Sequence, residues 1–430
     1  MQIIYRHKQR LVGTIIKETI ERHKEDENVK PNNEPWVHKM WSVSPYNFSK
    51  KESAKVPKKV EIHETTLRDG ISDPARGIIV NTDQKVKIAQ ILDDFGVQRI
   101  EGGSTNPDSN FEDLKALAQA GLRAPVYAMT PTASFTWKEW EAVDLALKAD
   151  ISGIVLNFPA SEHLIKHYYP GWTKERVLEK AISMACYAKK HGLLVSFFEY
   201  DTTRAEPAFL KKLLKAAVEQ AKVDSVSIVD TLGVGSPVAV AHLVEQIRSW
   251  VEAPIELHMH DDFGLAYANT LAGVEAGGQI VHATINGIGK MPATEDLVTS
   301  LRILYGVDVG VKYGKTFEVC RSIREIGNWT ISPFRPITGE LAFGYDSDVR
   351  IDENRSQKAP FLPEFIGHNY EIVISGRTGP EGVKLHLKKA GKKTTEKQVD
   401  QILQLVKEKW KKTRRALTDD EFEAIVQKVI

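Results

Sequence analysis

The sequence has little cysteine, almost no net charge and no long apolar run. Two cysteines, Cys186 and Cys320, occur in 430 residues, which argues against a disulfide framework and indicates buried thiols in a reducing compartment. The formal net charge of +1 gives no support to nucleic-acid binding. No apolar segment is long enough to cross a bilayer, and the N-terminus lacks a signal-like apolar run. We therefore expect a cytoplasmic protein that binds neither nucleic acid nor membrane.

The composition is otherwise that of a globular protein. Hydrophobic residues make up 42% of the chain, enough for one large core and a smaller unit. The pattern predicts a helical N-terminal extension (1–57), a main domain (58–330), and a linker with C-terminal accessory subdomains (331–430). Residues 11–23 have helical spacing, and Trp36, Trp41, Tyr46 and Phe48 follow them. We expect these aromatic residues to pack on the main domain or across a subunit interface.

The main domain alternates between short apolar runs and longer segments of helical periodicity. The predicted strands are residues 60–62, 97–100, 125–128, 153–156, 193–198, 225–229, 254–257 and 281–284. The predicted helices include residues 82–95, 110–120, 173–191, 207–221, 237–251 and 266–276. Eight strand–helix units predict an α/β protein with a (β/α)8 TIM barrel. A doubly wound sheet is disfavoured because no G-x-G-x-x-G motif follows the first strand.

Polar residues follow several of the predicted strands. His258 and His260 lie two residues apart at a strand end, so their side chains point to the same face. Asp69, after the first strand, adds a carboxylate beside the fixed positive charge of Arg68. Because a barrel collects the carboxyl ends of its strands at one rim, these groups should converge. The sequence predicts a divalent cation on Asp69, His258 and His260, a ligand set that suits zinc, manganese, magnesium or cobalt.

Each of these residues also has an ordinary structural explanation. Asp69 could cap a turn, and Arg68 could pair with Glu64 or Glu101. Thr231 could satisfy the backbone of a turn. The position of the whole set at one rim is what favours a functional site.

The motifs at this rim resemble those of the DRE-TIM metallolyases, which include isopropylmalate, citramalate and homocitrate synthases and 3-hydroxy-3-methylglutaryl-CoA lyase. The resemblance covers nearly everything from residue 58 onward. The matching segments are T-T-L-R-D-G at 65–70, R-I-E-G-G at 99–103, D-T-L-G at 230–233, H-M-H-D-D-F-G at 258–264, A-N-T-L-A at 268–272 and N-G-I-G at 286–289.

The resemblance implies a homodimeric acyltransferase of amino-acid biosynthesis that condenses an acyl-CoA with a 2-oxo acid in a Claisen-type, divalent-metal-dependent reaction. Arg68 would stabilise the oxyanion that forms when a carbanion adds to the carbonyl group. Thr231 would bind the substrate carboxylate, and Glu101 would position a group or transfer a proton. The C-terminal subdomain would reach the partner's barrel mouth.

The C-terminal residues favour the synthase branch of this family. They contain I-S-G-R-T-G at 374–379, amphipathic helices from about Gly382 and Glu396, and a helix start at 417–422, as in accessory subdomains that the lyases lack. The regulatory domain of many isopropylmalate synthases has no counterpart, so we do not expect feedback of the leucine type.

Departures from the synthase pattern leave other functions open. The family's asparagine metal ligand has no counterpart in G-K-M-P-A-T-E-D at 289–296, so a water, a substrate oxygen or Glu295 would complete the metal shell. Arg350 lies near the place of the histidine that activates the acyl-CoA, and a nearby tyrosine has no clear counterpart at 358–362. The missing histidine and tyrosine favour a metal-dependent carbon–carbon lyase, aldolase or decarboxylase. The missing asparagine suggests a third interpretation, an inactive barrel that serves as a partner subunit, although Arg68, Asp69, His258 and His260 argue against it.

Overall fold

The computed structural model describes residues 36–48, 55–71, 78–105, 111–131, 140–345 and 359–430. Eight parallel strands form a closed barrel in which each strand pairs with the next and the last pairs with the first. They are β1 (Glu61–Glu64), β2 (Arg99–Ser104), β3 (Val126–Met129), β4 (Gly153–Pro159), β5 (Leu194–Tyr200), β6 (Ser225–Asp230), β7 (Ile255–Met259) and β8 (Ile280–Ala283). Each strand overlaps one of the predicted apolar runs, and the predicted (β/α)8 fold is confirmed.

Helices cover the outside of the barrel and continue into the C-terminal region. They are α1 (Thr82–Phe95), α2 (Phe111–Ala118), α3 (Glu141–Lys148), α4 (Glu162–Tyr168), α5 (Lys174–Lys190), α6 (Pro207–Ala216), α7 (Pro237–Trp250), α8 (Ala266–Glu275), α9 (Thr294–Leu304), α10 (Thr316–Gly327), α11 (Pro380–Lys389), α12 (Glu396–Thr413) and α13 (Asp419–Val426). Helix α1 has the predicted bounds because it begins at a capping box of Asn81 and Gln84 and ends at Gly96 in the left-handed conformation,.

Successive side chains of each strand point alternately out of and into the barrel. In β7, Ile255, Leu257 and Met259 belong to the large apolar core between strands and helices, while Glu256 and His258 point into the barrel, where both contact His282. The sequence I-E-L-H-M-H thus directs apolar side chains outward and ionisable ones inward. This alternation places ionisable groups on the barrel axis beneath the site.

The chain segment before the barrel packs with the linker that follows it, whereas the C-terminal helices form a cluster of their own. Trp41 is buried with Phe361 of the linker and Ile303 of α9, so this aromatic residue packs on the main domain, whereas Tyr46 is exposed. Residues 11–23, for which a helix is predicted, lie outside the described residues. The C-terminal helices α11 to α13 form their own apolar cluster with Ile372 and Ile374. A two-stranded parallel sheet, Gly344–Tyr345 with Glu371–Ile372, precedes them.

The two cysteines are free, but they differ in exposure. Cys320 in α10 is buried, whereas Cys186 in α5 is exposed. The prediction of two buried thiols is therefore wrong for Cys186, because the neighbouring residues Ala185 and Ala188 occupy the inward face of α5. Among the helices in the described ranges, none is long and apolar enough to cross a membrane.

Candidate active site

The predicted site residues meet at the carboxyl ends of the strands. Arg68 and Asp69 lie in a π-helical turn, Thr66–Gly70, that follows β1. This turn is held against the loop after β8, where Gly289 has φ +79° and a Cβ would lie 2.4 Å from the Asp69 carbonyl oxygen. A side chain at position 289 would therefore push the turn away from its place. Glycine in the loop after β8 thus helps to place Asp69.

Asp69, His258 and His260 form one cluster, as the sequence predicts. Their ligand atoms all lie within 4.8 Å of one another. His258 Nε2 lies 3.3 Å from His260 Nε2 and 3.5 Å from Asp69 Oδ2. His258 is 1% exposed, and Asp69 Oδ2 is buried without a hydrogen-bond partner. One carboxylate oxygen and two imidazole nitrogens thus face a common point.

Hydrogen bonds at the far side of each ring determine which nitrogen faces this point. His260 Nδ1 lies 2.7 Å from the carbonyl oxygen of Thr231; since a carbonyl can only accept, Nδ1 carries the proton and Nε2 carries the lone pair. His258 Nδ1 lies 3.0 Å from His282 Nδ1. When His258 donates in that contact, both Nε2 lone pairs and the orphaned Asp69 oxygen converge. A divalent cation satisfies all three, so these residues fit a metal site.

The protonation of His258 is consistent with this arrangement. Burial, together with the nearby rings of His282 and His260 and the charge of Arg68, holds the pKa of His258 well below its usual range,. The ring is therefore neutral near pH 7. A neutral imidazole is the form that binds a metal ion.

Arg68 is fixed beside the cluster by two carboxylates. Its Nε and Nη2 donate to the two oxygens of Glu101 at 2.9 and 3.0 Å, and its Nη1 donates to Asp69. Burial would lower the pKa of Arg68, but the charges of Asp69 and Glu101 outweigh it and raise the pKa. Burial raises the pKa of Glu101, and the charge of Arg68 opposes the rise. Of the two sequence-based partners, Glu101 is the one that Arg68 contacts.

Thr231 follows β6 and connects the site to the next loop. Its hydroxyl oxygen accepts a hydrogen bond from the backbone N–H of Asp201 at 2.7 Å, which leaves the hydroxyl proton free to be donated. Its carbonyl oxygen holds His260, as described above. Thr231 therefore orients one imidazole and presents a donor at the mouth of the barrel.

The structure rejects Glu295 as a further ligand of this cluster. Its carboxylate accepts hydrogen bonds from Asn286, Thr338 and Arg335. The start of α9 directs it to that network and away from Asp69. Thr294 also turns away from the metal cluster, because its hydroxyl donates to Glu64.

Glu64 lies beneath the turn that carries Arg68 and Asp69. It is fully buried, and both the backbone N–H and the hydroxyl of Thr66 donate to it. Burial raises the pKa of Glu64 to about 7, and hydrogen bonds from Thr294 and Thr66 limit the rise. Glu64 is therefore partly protonated near neutral pH.

A second polar cluster lies deeper in the barrel, and the sequence analysis missed it. His63, Glu256 and His282 are completely buried, and their ligand atoms lie within 4.8 Å of one another. Strand alternation could have revealed Glu256, which lies two residues before His258 on the same face of β7. His282 is harder to detect because its relation to His258 depends on the pairing of β7 with β8.

A cluster of aromatic and aliphatic side chains also lies in the barrel. Phe198, Tyr200 and Val229 are buried in one cluster, against which Met129 and Leu164 pack. The Phe198 ring lies 4.9 Å from the His258 ring, centroid to centroid, in an edge-on arrangement. The metal cluster therefore has a charged wall on one side and an aromatic wall on the other.

The acyl-CoA half of the predicted site is not described. Residues 346–358, which include Arg350, lie outside the described residues. The described site thus consists of the cluster of Asp69, His258 and His260, the Arg68–Glu101 pair and Thr231.

The sequence and fold match known proteins. A family model described as HMGL-like matches residues 59–323. Homocitrate synthase AksA of Methanothermobacter thermautotrophicus is 34% identical over 394 residues, 90% of this chain and 97% of that protein. Putative (R)-citramalate synthase CimA of Archaeoglobus fulgidus is 34% identical, over 86% of this chain and 75% of that protein. 2-Isopropylmalate synthase of Methanocaldococcus jannaschii is 33% identical, over 88% and 73%.

Among solved structures, the HMG-CoA lyase of Bacillus subtilis superposes with a TM-score of 0.55 at 21% identity. That match covers 64% of this chain and 96% of the lyase, and it supports the barrel fold. The synthases therefore match more of the chain, at higher identity, than this lyase does. Since the family model covers more than half of the chain and these relatives exceed 30% identity, the chain belongs to the HMGL-like family.

Proposed function

We propose that this protein catalyses the divalent-metal-dependent, Claisen-type condensation of an acyl-CoA with a 2-oxo acid. The observation that carries the proposal is the convergence of Asp69, His258 and His260 beside the buried guanidinium of Arg68. Synthase relatives, whose match extends over 90% of the chain, support condensation over cleavage.

Asp69, His258 and His260 would hold the cation. When bound, a divalent ion supplies Lewis acidity and a docking point for the carboxylate and keto oxygens of a 2-oxo acid. The fit of the site rests on the orphaned Asp69 oxygen and on the two Nε2 atoms that face it. Zinc, manganese, magnesium and cobalt all suit these ligands.

The residues around the cation would each have one task. Arg68 would stabilise the negative charge that develops on the keto oxygen as the new carbon–carbon bond forms. Glu101 would act as a positioning residue rather than a proton carrier, because both of its oxygens already hold Arg68. Thr231 would donate its hydroxyl proton to the substrate carboxylate.

We further propose that the acceptor carries an apolar substituent. Phe198 packs edge-on against the ring of His258 and belongs to one buried cluster with Tyr200. Arg204, a cation in the loop after β5, is already paired through two nitrogens with Asp201. A second substrate carboxylate would have to break such a pair. A branched 2-oxo acid should therefore react with a kcat/KM about tenfold or more above that of 2-oxoglutarate.

The test is release of free thiol across pairs of acyl-CoA and 2-oxo acid, with the product mass measured. Condensation, followed by hydrolysis of the product thioester by water, predicts release of free CoA that needs both substrates, is lost after chelation and returns with added metal. Cleavage of a hydroxy acid, with no thiol release from any pair, would instead identify a lyase or an aldolase. Failure of both reactions with fully metal-loaded protein would favour the inactive barrel.

We also propose a homodimer. Two loops at the barrel mouth adjoin each other because Gly233 packs on the backbone of His260 and Asp262. They expose three apolar side chains, Leu232 (44%), Val234 (47%) and Phe263 (72%). Such an apolar rim is suited to a partner subunit. Light scattering at micromolar concentration should give twice the chain mass, and a monomer would refute the arrangement.

The division into 1–57, 58–330 and 331–430 remains our proposal for the domains. The apolar cluster of α11 to α13, which is separate from that of the barrel, supports an accessory unit in the third of these segments. The cytoplasmic location stays a prediction.

A further inference from the structure

The polar cluster beneath the metal ligands is built around one carboxylate. Glu256 is completely buried, and its Oε1 accepts hydrogen bonds from Arg99 at 2.8 Å and from Ser225. Its Oε2 accepts from Ser196 at 2.7 Å and lies 2.7 Å from His282 Nε2. The carboxylate is therefore anionic, with its charge compensated by the guanidinium of Arg99.

This deeper cluster is itself a poor metal site. Both oxygens of Glu256 are occupied by donors, and the guanidinium of Arg99 would repel a cation. The ring nitrogens of His63 are buried without hydrogen-bond partners, but the nearest carboxylate oxygen is 3.9 Å away and belongs to Glu256. Its link to the metal ligand above it is the contact between His282 and His258.

We propose that His282 is a positioning residue for the metal ligand His258. Its Nε2–H donates to Glu256, so its Nδ1 carries a lone pair, and that lone pair accepts the Nδ1 proton of His258 at 3.0 Å. His258 is thereby held in the tautomer whose Nε2 is free for a metal ion. Glu256, His282 and His258 form a relay from the barrel interior to the site.

The relay explains why ionisable groups occupy the barrel axis. A metal-binding imidazole needs a fixed ring orientation and a fixed tautomer, and a partner on its other nitrogen supplies both. The carbonyl oxygen of Thr231 does this for His260. His258 is on a strand whose carbonyls are engaged in the barrel, so a side chain must supply its acceptor. Loss of such a partner typically weakens metal binding about 10- to 100-fold.

Two amide substitutions at position 282 test the two ring nitrogens of this histidine one at a time. In His282→Asn, the side-chain oxygen falls near the place of Nδ1 and can still accept from His258. In His282→Gln, the amide falls near the place of Nε2, so it keeps the bond to Glu256 and loses the one to His258. Metal dissociation constants, measured for zinc by competition with a chromogenic chelator, should rise about 10- to 100-fold for Gln and only a few-fold for Asn.

His63→Leu is the matched control. His63 is as buried as His282, and the two ring centroids are 4.3 Å apart. It has no hydrogen bond to His258, so its substitution should leave the zinc affinity unchanged. All variants are compared at equal fold content by circular dichroism, and Glu256 keeps its arginine and serine donors in each of them.

The inference rests on the proposed metal site, but the two fail differently. If the parent protein binds no zinc at Asp69, His258 and His260, the proposed function loses its basis. Suppose instead that the parent binds zinc at this site. If His282→Gln and His282→Asn then bind zinc with the same affinity, or if His63→Leu weakens zinc binding as much as His282→Gln does, the positioning role of His282 is refuted. Gln weaker than Asn, with His63→Leu unchanged, supports it.

Discussion

The substitution Arg68→Lys tests whether the guanidinium of Arg68 stabilises the negative charge that develops on the keto oxygen. The guanidinium makes two hydrogen bonds to Glu101 and one to Asp69, and lysine keeps the charge but cannot reproduce this planar fork. Loss of one preorganised donor to a developing oxyanion typically lowers turnover about 10²- to 10³-fold, or about 3–4 kcal/mol. The KM for the 2-oxo acid should change much less, because the acid is held chiefly by the cation. Steady-state kinetics of the metal-loaded variant give both values.

A second arginine provides the control for this experiment. Arg335 also bridges two carboxylates, with 3.3 Å to Glu295 and 3.1 Å to Asp296, but it contacts no residue of the metal cluster. Arg335→Lys reports the general effect of shortening a paired arginine, and turnover should stay within about threefold. If Arg68→Lys also stays within about threefold while its metal content is normal, the role of Arg68 in catalysis is refuted.

Three further predictions concern the metal, the pH dependence of stability and the thiols. His260→Ala should lose the bound metal in elemental analysis while His242→Ala, at an exposed position on α7, retains it; full occupancy in the first variant would contradict the site. Because the folded-state pKa of Glu64 is raised to about 7, the protonated form stabilises the fold, and this contribution is lost as the pH rises from about 4.5 through 7. Through this group the parent should lose roughly 2.5 kcal/mol of unfolding free energy between pH 5 and pH 8, and Glu64→Gln should not show that loss. An equal change in urea midpoint between the two pH values in parent and variant would speak against it. Native protein should label rapidly at one thiol, Cys186, and at a second, Cys320, only after unfolding; two fast thiols would show that α10 opens readily.

The fold was predictable because its signal is repeated along the chain. Each strand of the barrel is a short apolar run followed by a helical segment, and eight repeats leave few alternative architectures. The bounds of α1 match because its capping residues are local. Strand ends were less exact: β5 continues through Glu199 and Tyr200, where a charged residue interrupts the apolar run.

The residues at the rim of the candidate site were predictable for the same reason, but the buried residues that hold them in place were not. Asp69 and His258 lie at strand ends, where the topology alone brings them together. The contact between His258 and His282 depends on ring orientation and strand register, which no sequence pattern specifies. Glu295, one of three alternatives for completing the metal shell, is excluded because the first turn of α9 directs its side chain towards Arg335 and Asn286. A sequence neighbour of a site can thus belong to a different network.

Anomalous X-ray scattering from crystals of zinc-loaded protein tests the central claim most directly. The account predicts one peak bounded by Asp69, His258 Nε2 and His260 Nε2, at about 2.1 Å from the two nitrogens. A peak among His63, Glu256 and His282, or none near Asp69 in protein that carries stoichiometric zinc, would contradict it.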